Sequence, residues 1–147
     1  MIPNVYRGKV LSTLNWIEGY HAAVGDRHYI SLPLDVTSTS HVAISDFADI
    51  EMVSLGPFLE VVPETVCACT HKPDKNGVLI YENDIVVLTG HSCYYAYVEF
   101  DASCGCYFVV NHDIQLPVEL SNTPSSSMSV VGNVFDNAYL LNSRSAW

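Results

Sequence analysis

Five cysteines stand as Cys67-Ala68-Cys69, Cys93 and Cys104-Gly105-Cys106. Residues two apart on an extended strand point to the same face, so each Cys-x-Cys pair presents two sulfurs together. If the pairs meet in space, Cys67, Cys69, Cys104 and Cys106 are the candidate ligands for a tetrahedral Zn²⁺. The spacing argues the other way, because structural zinc sites usually leave roughly two to four residues between paired cysteines. Cysteine also serves as a small buried hydrophobe, and a reducing compartment keeps it a thiol. No feature of the sequence lowers a thiol pKa, which leaves a redox pair at Cys104 and Cys106 unsupported at this level. The expectation is therefore buried or incidental thiols and no cofactor.

The other reactive residue types form no set. His21, His28, His41, His71, His91 and His112 share no ligand spacing. His91 lies two residues before Cys93, which makes a mixed His/Cys site conceivable in outline only. The serines at 125–127 and 129 lack the glycine-flanked turn of a nucleophile elbow, and no glycine-rich phosphate loop is present. Asp74, Glu82 and Asp84 have the chemistry for acid and base roles. Their neighbours suggest instead carboxylates that accept hydrogen bonds from turn amides. No catalytic residue is assigned, and the chain is expected not to be an enzyme.

Charge narrows the partners. Sixteen acidic and six basic residues give a net charge of −10. Binding phosphate backbones requires Lys and Arg to displace counterions. Arg7, Lys9, Arg27, Lys72, Lys75 and Arg144 are too few and too scattered for that, so direct nucleic-acid binding is disfavoured. The acidity accounts for solubility. Mimicry of nucleic acid, the sharper alternative, needs the acids on one face, and only Asp46, Asp49 and Glu51 cluster. No apolar run approaches the ~20 residues that span a bilayer. Met1-Ile2-Pro3-Asn4 carries neither the charged nor the apolar region of a signal peptide. The expected location is the cytoplasm, without membrane contact.

The elements that must position these residues read mainly as strands. The apolar fraction is 49%, and nine Tyr, five Phe and two Trp favour cross-strand aromatic pairs. Val5–Val10 and Trp16–Ala23 form a first hairpin, and Tyr29–Leu32 is a third strand ending at Pro33. The segment 37–40 reads as a loop. Ser45 or Asp46 can cap a short helix running toward Leu55, before the Gly56-Pro57 stop. Phe58–Val62 is a strand. Tyr95–Phe100 and Cys106–Val110 make a second hairpin around Asp101–Gly105. Asn122–Ser129 reads as an exposed polar loop. Val130–Phe135 is the last strand, Asn137–Leu141 a single helical turn, and the tail to Trp147 loose unless Trp147 docks on a partner.

The densest signal is Asp74-Lys75-Asn76-Gly77-Val78-Leu79-Ile80-Tyr81-Glu82-Asn83-Asp84-Ile85-Val86-Val87. Asn-Gly between apolar runs predicts a two-residue type I′ hairpin turn. Val78–Tyr81 supplies strand formers. Asn83 is expected at positive φ in a second turn. Ile85–Leu88 is then a short strand buried on both faces.

This segment resembles the YopX family of phage and prophage proteins. Thr70, Asp74, Lys75, Asn76, Gly77, Ile80, Tyr81, Glu82, Asp84, Ile85 and Val86 match the family pattern, while His71 and Asn83 stand where the family prefers glycine. Tyr6-Arg7-Gly8-Lys9 with Trp16–Tyr20 is similar to its N-terminal hairpin, and Pro63-Glu64-Thr65-Val66 to the entry of its core motif. Gly132-Asn133 through Asp136-Asn137 and Leu140-Leu141 is similar to its closing segment, with Ala138 in place of proline. The resemblance implies a small SH3-like β-barrel over 66–147 joined to an N-terminal α+β portion over 1–65, in one YopX-like unit.

The resulting expectation is a phage or prophage accessory protein in the cytoplasm of a bacterial host. It is expected to act by protein–protein contact, as a homo-oligomer or with a host or phage protein. A nucleic-acid-associated or DNA-mimic protein, and a Cys-ligated metal or thiol protein, are the alternatives.

Overall fold

A computed structural model describes residues 5–33, 39–42, 50–53, 55–89, 94–111 and 117–142. Chain contacts divide it into two units that meet between Val66 and Cys67 in the sequence.

In the first unit, β1 (Tyr6–Lys9), β2 (Trp16–Val24) and β3 (Arg27–Pro33) form an antiparallel meander, and β6 (Leu55–Val61) pairs with β3. Alternation sets its buried face. Gly8, Gly19, Ile30 and Val61 lie on one side of the pleat, where Ile30 and Val61 are essentially inaccessible. The two glycines are required by close approach. A Cβ on Gly19 would stand 2.0 Å from the Ser31 carbonyl oxygen, and one on Gly8 would stand 3.2 Å from Val61 Cβ. β4 (Thr39–Val42) and β5 (Ile50–Val53) form a separate antiparallel pair. The loop expected at 37–40 is corrected at its end, since Thr39 and Ser40 are paired backbone. The short helix expected toward Leu55 is also corrected. Its second half is the strand β5 and the start of β6, where the β-branched Ile50 and Val53 favour extended backbone. Its proposed caps, Ser45 and Asp46, lie outside the described residues.

A 3₁₀ turn over Pro63–Thr65 closes this unit. Pro63 starts it, where no backbone N–H is needed. The buried Thr65 hydroxyl donates to the Val62 carbonyl at 2.7 Å and accepts from Lys9 N at 2.9 Å. The Pro-Glu-Thr-Val motif is thus a clip between the end of β6 and β1.

The second unit holds the hairpin β7 (Cys67–Pro73) and β8 (Leu79–Tyr81), then β9 (Asp84–Leu88), β10 (Tyr94–Asp101), β11 (Cys106–Val110), β12 (Val118–Glu119) and β13 (Met128–Asn133). The last five make an antiparallel sheet in the order β12-β11-β10-β9-β13. β9 runs between two neighbours with Ile85 and Val86 fully buried, as its apolar run predicts. Ile80, Val86, Ala96, Val98, Val109, Leu120 and Met128 form the core. Each larger side chain among them contributes about 1.5–3 kcal/mol by burial. The exposed loop expected over 122–129 is corrected. It consists of 3₁₀ turns at Leu120–Asn122 and Ser125–Ser127, and Met128 beyond them is fully buried. Ala138–Asn142 forms the final 3₁₀ turn where a helical turn is expected.

The chain is mainly β. No α-helix occurs among the described residues, so the helical contribution expected of the N-terminal portion is not found there. The strand orders are those of open sheets.

Candidate functional site

The motif residues converge on three turns. In the first, only Gly77 takes a positive φ (81°), so the two-residue type I′ turn is replaced by a longer one. Gly77 N donates to Asp74 O at 3.1 Å, and Asp74 N donates to Val78 O at 2.8 Å. That is the pattern of a type I turn followed by a left-handed glycine and a bulge. The Asp74 side chain decides it, because its Oδ1 accepts from Asn76 N at 2.8 Å and Val78 N at 2.9 Å. Its Oδ2 reaches Val130 N at 2.9 Å, and the neighbouring Lys75 N donates to Met128 O at 2.9 Å. The hairpin tip therefore covers the outer edge of β13, whose register slips by one residue at Val131. Asp74 is buried. Burial raises its pKa, but the N–H groups of Val130, Val78 and Asn76, with the charge of Lys75, outweigh that and leave it lowered.

The second turn links β8 to β9. Asn83 has φ 67°, as expected. Its N donates to Val98 O at 2.8 Å and its carbonyl accepts from Val134 N at 2.9 Å. Asp84 Oδ2 accepts from Tyr81 N at 2.8 Å. The third turn follows β13. The Asn133 Oδ1 accepts from Phe135 N and Asp136 N at 3.0 and 2.9 Å, and Asn137 Oδ1 accepts from Asn133 N at 3.2 Å. Gly132 makes room for Asn137, whose Oδ1 would stand 2.4 Å from a Cβ at that position.

Asp74 and Asp84, two of the three acids with acid–base potential, are thus hydrogen-bonded to backbone amides. Burial, then the charge of Glu99, pushes the carboxyl of the third, Glu82, up against a hydrogen bond from the Ala68 backbone.

Among the described residues the two Cys-x-Cys pairs do not gather into one site. Cys67 and Cys69 are buried in β7, where Cys67 Sγ accepts from Asn83 Nδ2 at 3.5 Å and Cys69 Sγ from His71 N at 3.4 Å. Cys104 is exposed and Cys106 partly so, at the β10–β11 turn. Among the described residues no three His, Cys, Asp or Glu side chains are grouped to hold a metal ion. Cys93, His91 and His112 lie outside those residues, as do Asp46, Asp49, Arg144 and Trp147; Glu51 and His41 are described in backbone only.

One histidine pair is brought together that spacing alone does not reveal. His21 and His28 lie diagonally across β2 and β3, and Nε2 of His21 is 2.8 Å from Nδ1 of His28. The rings are 10° from parallel with centroids 5.0 Å apart. Those values describe two rings nearly coplanar and end to end, sharing one N–H···N bond. Burial, then the charge of His28, lowers the His21 pKa.

A pocket of ≈ 360 Å³ lies between β7, the β10–β11 turn and the Leu120 turn, lined among others by Thr70, Lys72, Cys106, Tyr107 and Glu119. Lys72 Nζ donates to Leu120 O at 2.8 Å. A second, of ≈ 280 Å³, is bordered by Glu99, Asp101, Phe108, Val110 and Pro117. These residues come from separated strands and carry no common sequence signal. No helix among the described residues is long and apolar enough to cross a membrane.

These features define a mainly β protein whose recurrent asparagine, aspartate and glycine positions build interlocked turns. Residues 31–142 match the family described as YopX protein, and the chain belongs to that family. No curated protein matches the chain. No solved structure matches it.

Proposed function

We propose that the chain is a non-enzymatic accessory protein of a phage or prophage that works by protein–protein contact and self-association. The observation carrying this reading is where the polar motif groups point. Asp74, Asp84 and Asn133 are directed at backbone amides, leaving the motif to serve as scaffold. An SH3-like arrangement of that scaffold is part of the proposal and rests on the family resemblance, since the strand orders are those of open sheets.

The contact surface follows from the sheet edges. Edge strands present unpaired backbone groups, and natural proteins cover or charge them. The edge of β13 is covered by Asp74 and Lys75. Among the described residues β8 pairs with β7 alone; its Leu79 is 38% exposed and the preceding Val78 50%. That edge is the proposed site of strand addition by a second copy. Sedimentation velocity across the micromolar range tests it. Association that Leu79→Lys abolishes and Val131→Lys spares supports the reading; a strict monomer at every concentration removes it.

A further inference from the structure

The turn between β10 and β11 holds a feature that the scaffold does not use. Gly105 has φ 70°, and its N–H returns to Asp101 O at 2.8 Å, closing a turn over residues 101–105 in which Cys104 and Cys106 flank a left-handed glycine. Asp101 Oδ1 accepts from Ser103 N at 2.9 Å and Ser103 Oγ at 2.6 Å, which fixes the approach to that turn. Cys104 Sγ lies 3.7 Å from Asp101 O, and Cys106 Sγ lies 3.5 Å from Cys104 O. Both are within reach of a small reagent, whereas Cys67 and Cys69 are buried.

We infer that Cys104 and Cys106 form a dithiol modification site that closes to an intramolecular disulfide by exchange with a low-molecular-weight disulfide. The more exposed Cys104 gives up its proton, and its sulfur attacks one sulfur of the reagent. The reagent's S–S bond breaks, and the departing thiolate takes up a proton. Cys106 then gives up its proton, attacks the Cys104 sulfur of the mixed disulfide and displaces the second small thiol. The protein loses two electrons, and the reagent gains them as two thiols.

The surroundings suit Cys106 to the second step. Contact with Cys104, then burial, then the Cys104 and Glu119 charges push the Cys106 thiol up. A scarce thiolate is a poor partner for a reagent in solution, but in an intramolecular step proximity compensates. The reduced form also gains no stabilised thiolate at Cys106, the device that makes some disulfides strongly oxidising. Closure would pin Cys106, which lines the pocket beside Lys72 and Glu119.

The full chain, first reduced, is incubated with glutathione disulfide, denatured, alkylated and digested for mass spectrometry. The expected product is a peptide containing Cys104 and Cys106 that is lighter by two hydrogens, unalkylated, and reopened by dithiothreitol. Cys93→Ser should give the same product, and Cys106→Ser should instead accumulate a stable glutathione adduct on Cys104. The inference is overturned if the wild-type chain stops at a mixed disulfide, stays fully alkylatable, or links either cysteine to Cys93 or to a second chain.

Discussion

The carboxylate of Asp74 spans two parts of the second unit, with Oδ1 on the amides of its own turn and Oδ2 2.9 Å from the amide of Val130, 56 residues later. The residue is 4% exposed. Replacing it by alanine leaves three amides without that acceptor at a buried position. An unsatisfied buried donor costs about 1–3 kcal/mol, and water reaches the outer turn amides more readily than Val130. Asp74→Ala is therefore expected to destabilise the fold by about 3 kcal/mol, read as a lower urea midpoint. The same residue sets an acid limit. Its pKa is lowered on folding from 3.8, so its contribution is complete above that value and is lost as pH falls through the folded one. The urea midpoint of the wild type should drop below about pH 4 more steeply than that of Asp74→Asn.

His71 occupies a left-handed conformation, φ 62°, inside a bulge where β7 advances from Cys69 to Pro73 while β8 advances only from Tyr81 to Leu79. The left-handed region costs an L-residue about 1–2 kcal/mol. Glycine avoids that cost but loses about 0.5–1 kcal/mol through its freer unfolded chain. The first effect wins, so His71→Gly is expected to stabilise the fold by about 0.5 kcal/mol. Asn83→Ala should act in the opposite direction, because asparagine tolerates φ 67° better than alanine and also donates to Cys67 Sγ. Thermal melts of the two variants, shifted in opposite senses, would confirm this; a stabilised Asn83→Ala would contradict it.

The sequence makes the local turns legible and the long-range bonds not. Asn83 at positive φ, the hairpin around Gly105 and the buried run at Ile85 all follow from residue type and spacing. The form of the Asp74 turn does not, because it depends on an acceptor side chain that competes with the intrinsic preference of Asn-Gly. The strand identity of Ile50–Val53 is hidden for another reason: a short apolar stretch fits helical and extended periods equally well. The His21–His28 pair needs the register of β2 against β3 before it can be seen at all. Sixteen acids and six bases announce solubility, yet where Asp74 points is settled only by the fold.

Gly19 and Gly132 are both glycines of close approach, but they should respond differently to alanine. At Gly19 the new Cβ would stand 2.0 Å from the Ser31 oxygen and 2.8 Å from its carbon, so paired backbone must move. At Gly132 the obstacle is Asn137, whose Oδ1 and Cγ can rotate away and give up the bond to Asn133 N, while its Cβ at 2.9 Å asks for a small further shift of the turn. Gly19→Ala is expected to cost more than about 3 kcal/mol, the range of severe overpacking. Gly132→Ala is expected to cost about 1–2 kcal/mol, one hydrogen bond and a rotamer change. Comparable urea midpoints for the two variants would contradict this assignment.

The His21–His28 bond should make the first unit acid-sensitive above the range in which Asp74 titrates. With Nε2 and Nδ1 2.8 Å apart, one ring donates and the other accepts, and protonating both would leave two donors facing each other. The His21 pKa is lowered from 6.5 on folding, by burial first and by the charge of His28 second. A histidine whose folded pKa lies below its unfolded one favours folding fully above the unfolded value. That contribution is lost as pH falls below about 6.5, where the unfolded chain takes up the proton first. Stability from urea titrations should therefore decline between about pH 6.5 and 5. His21→Gln should flatten that decline while leaving the drop below pH 4 that Asp74 produces. An unchanged slope in His21→Gln would show that the pair does not govern the acid response.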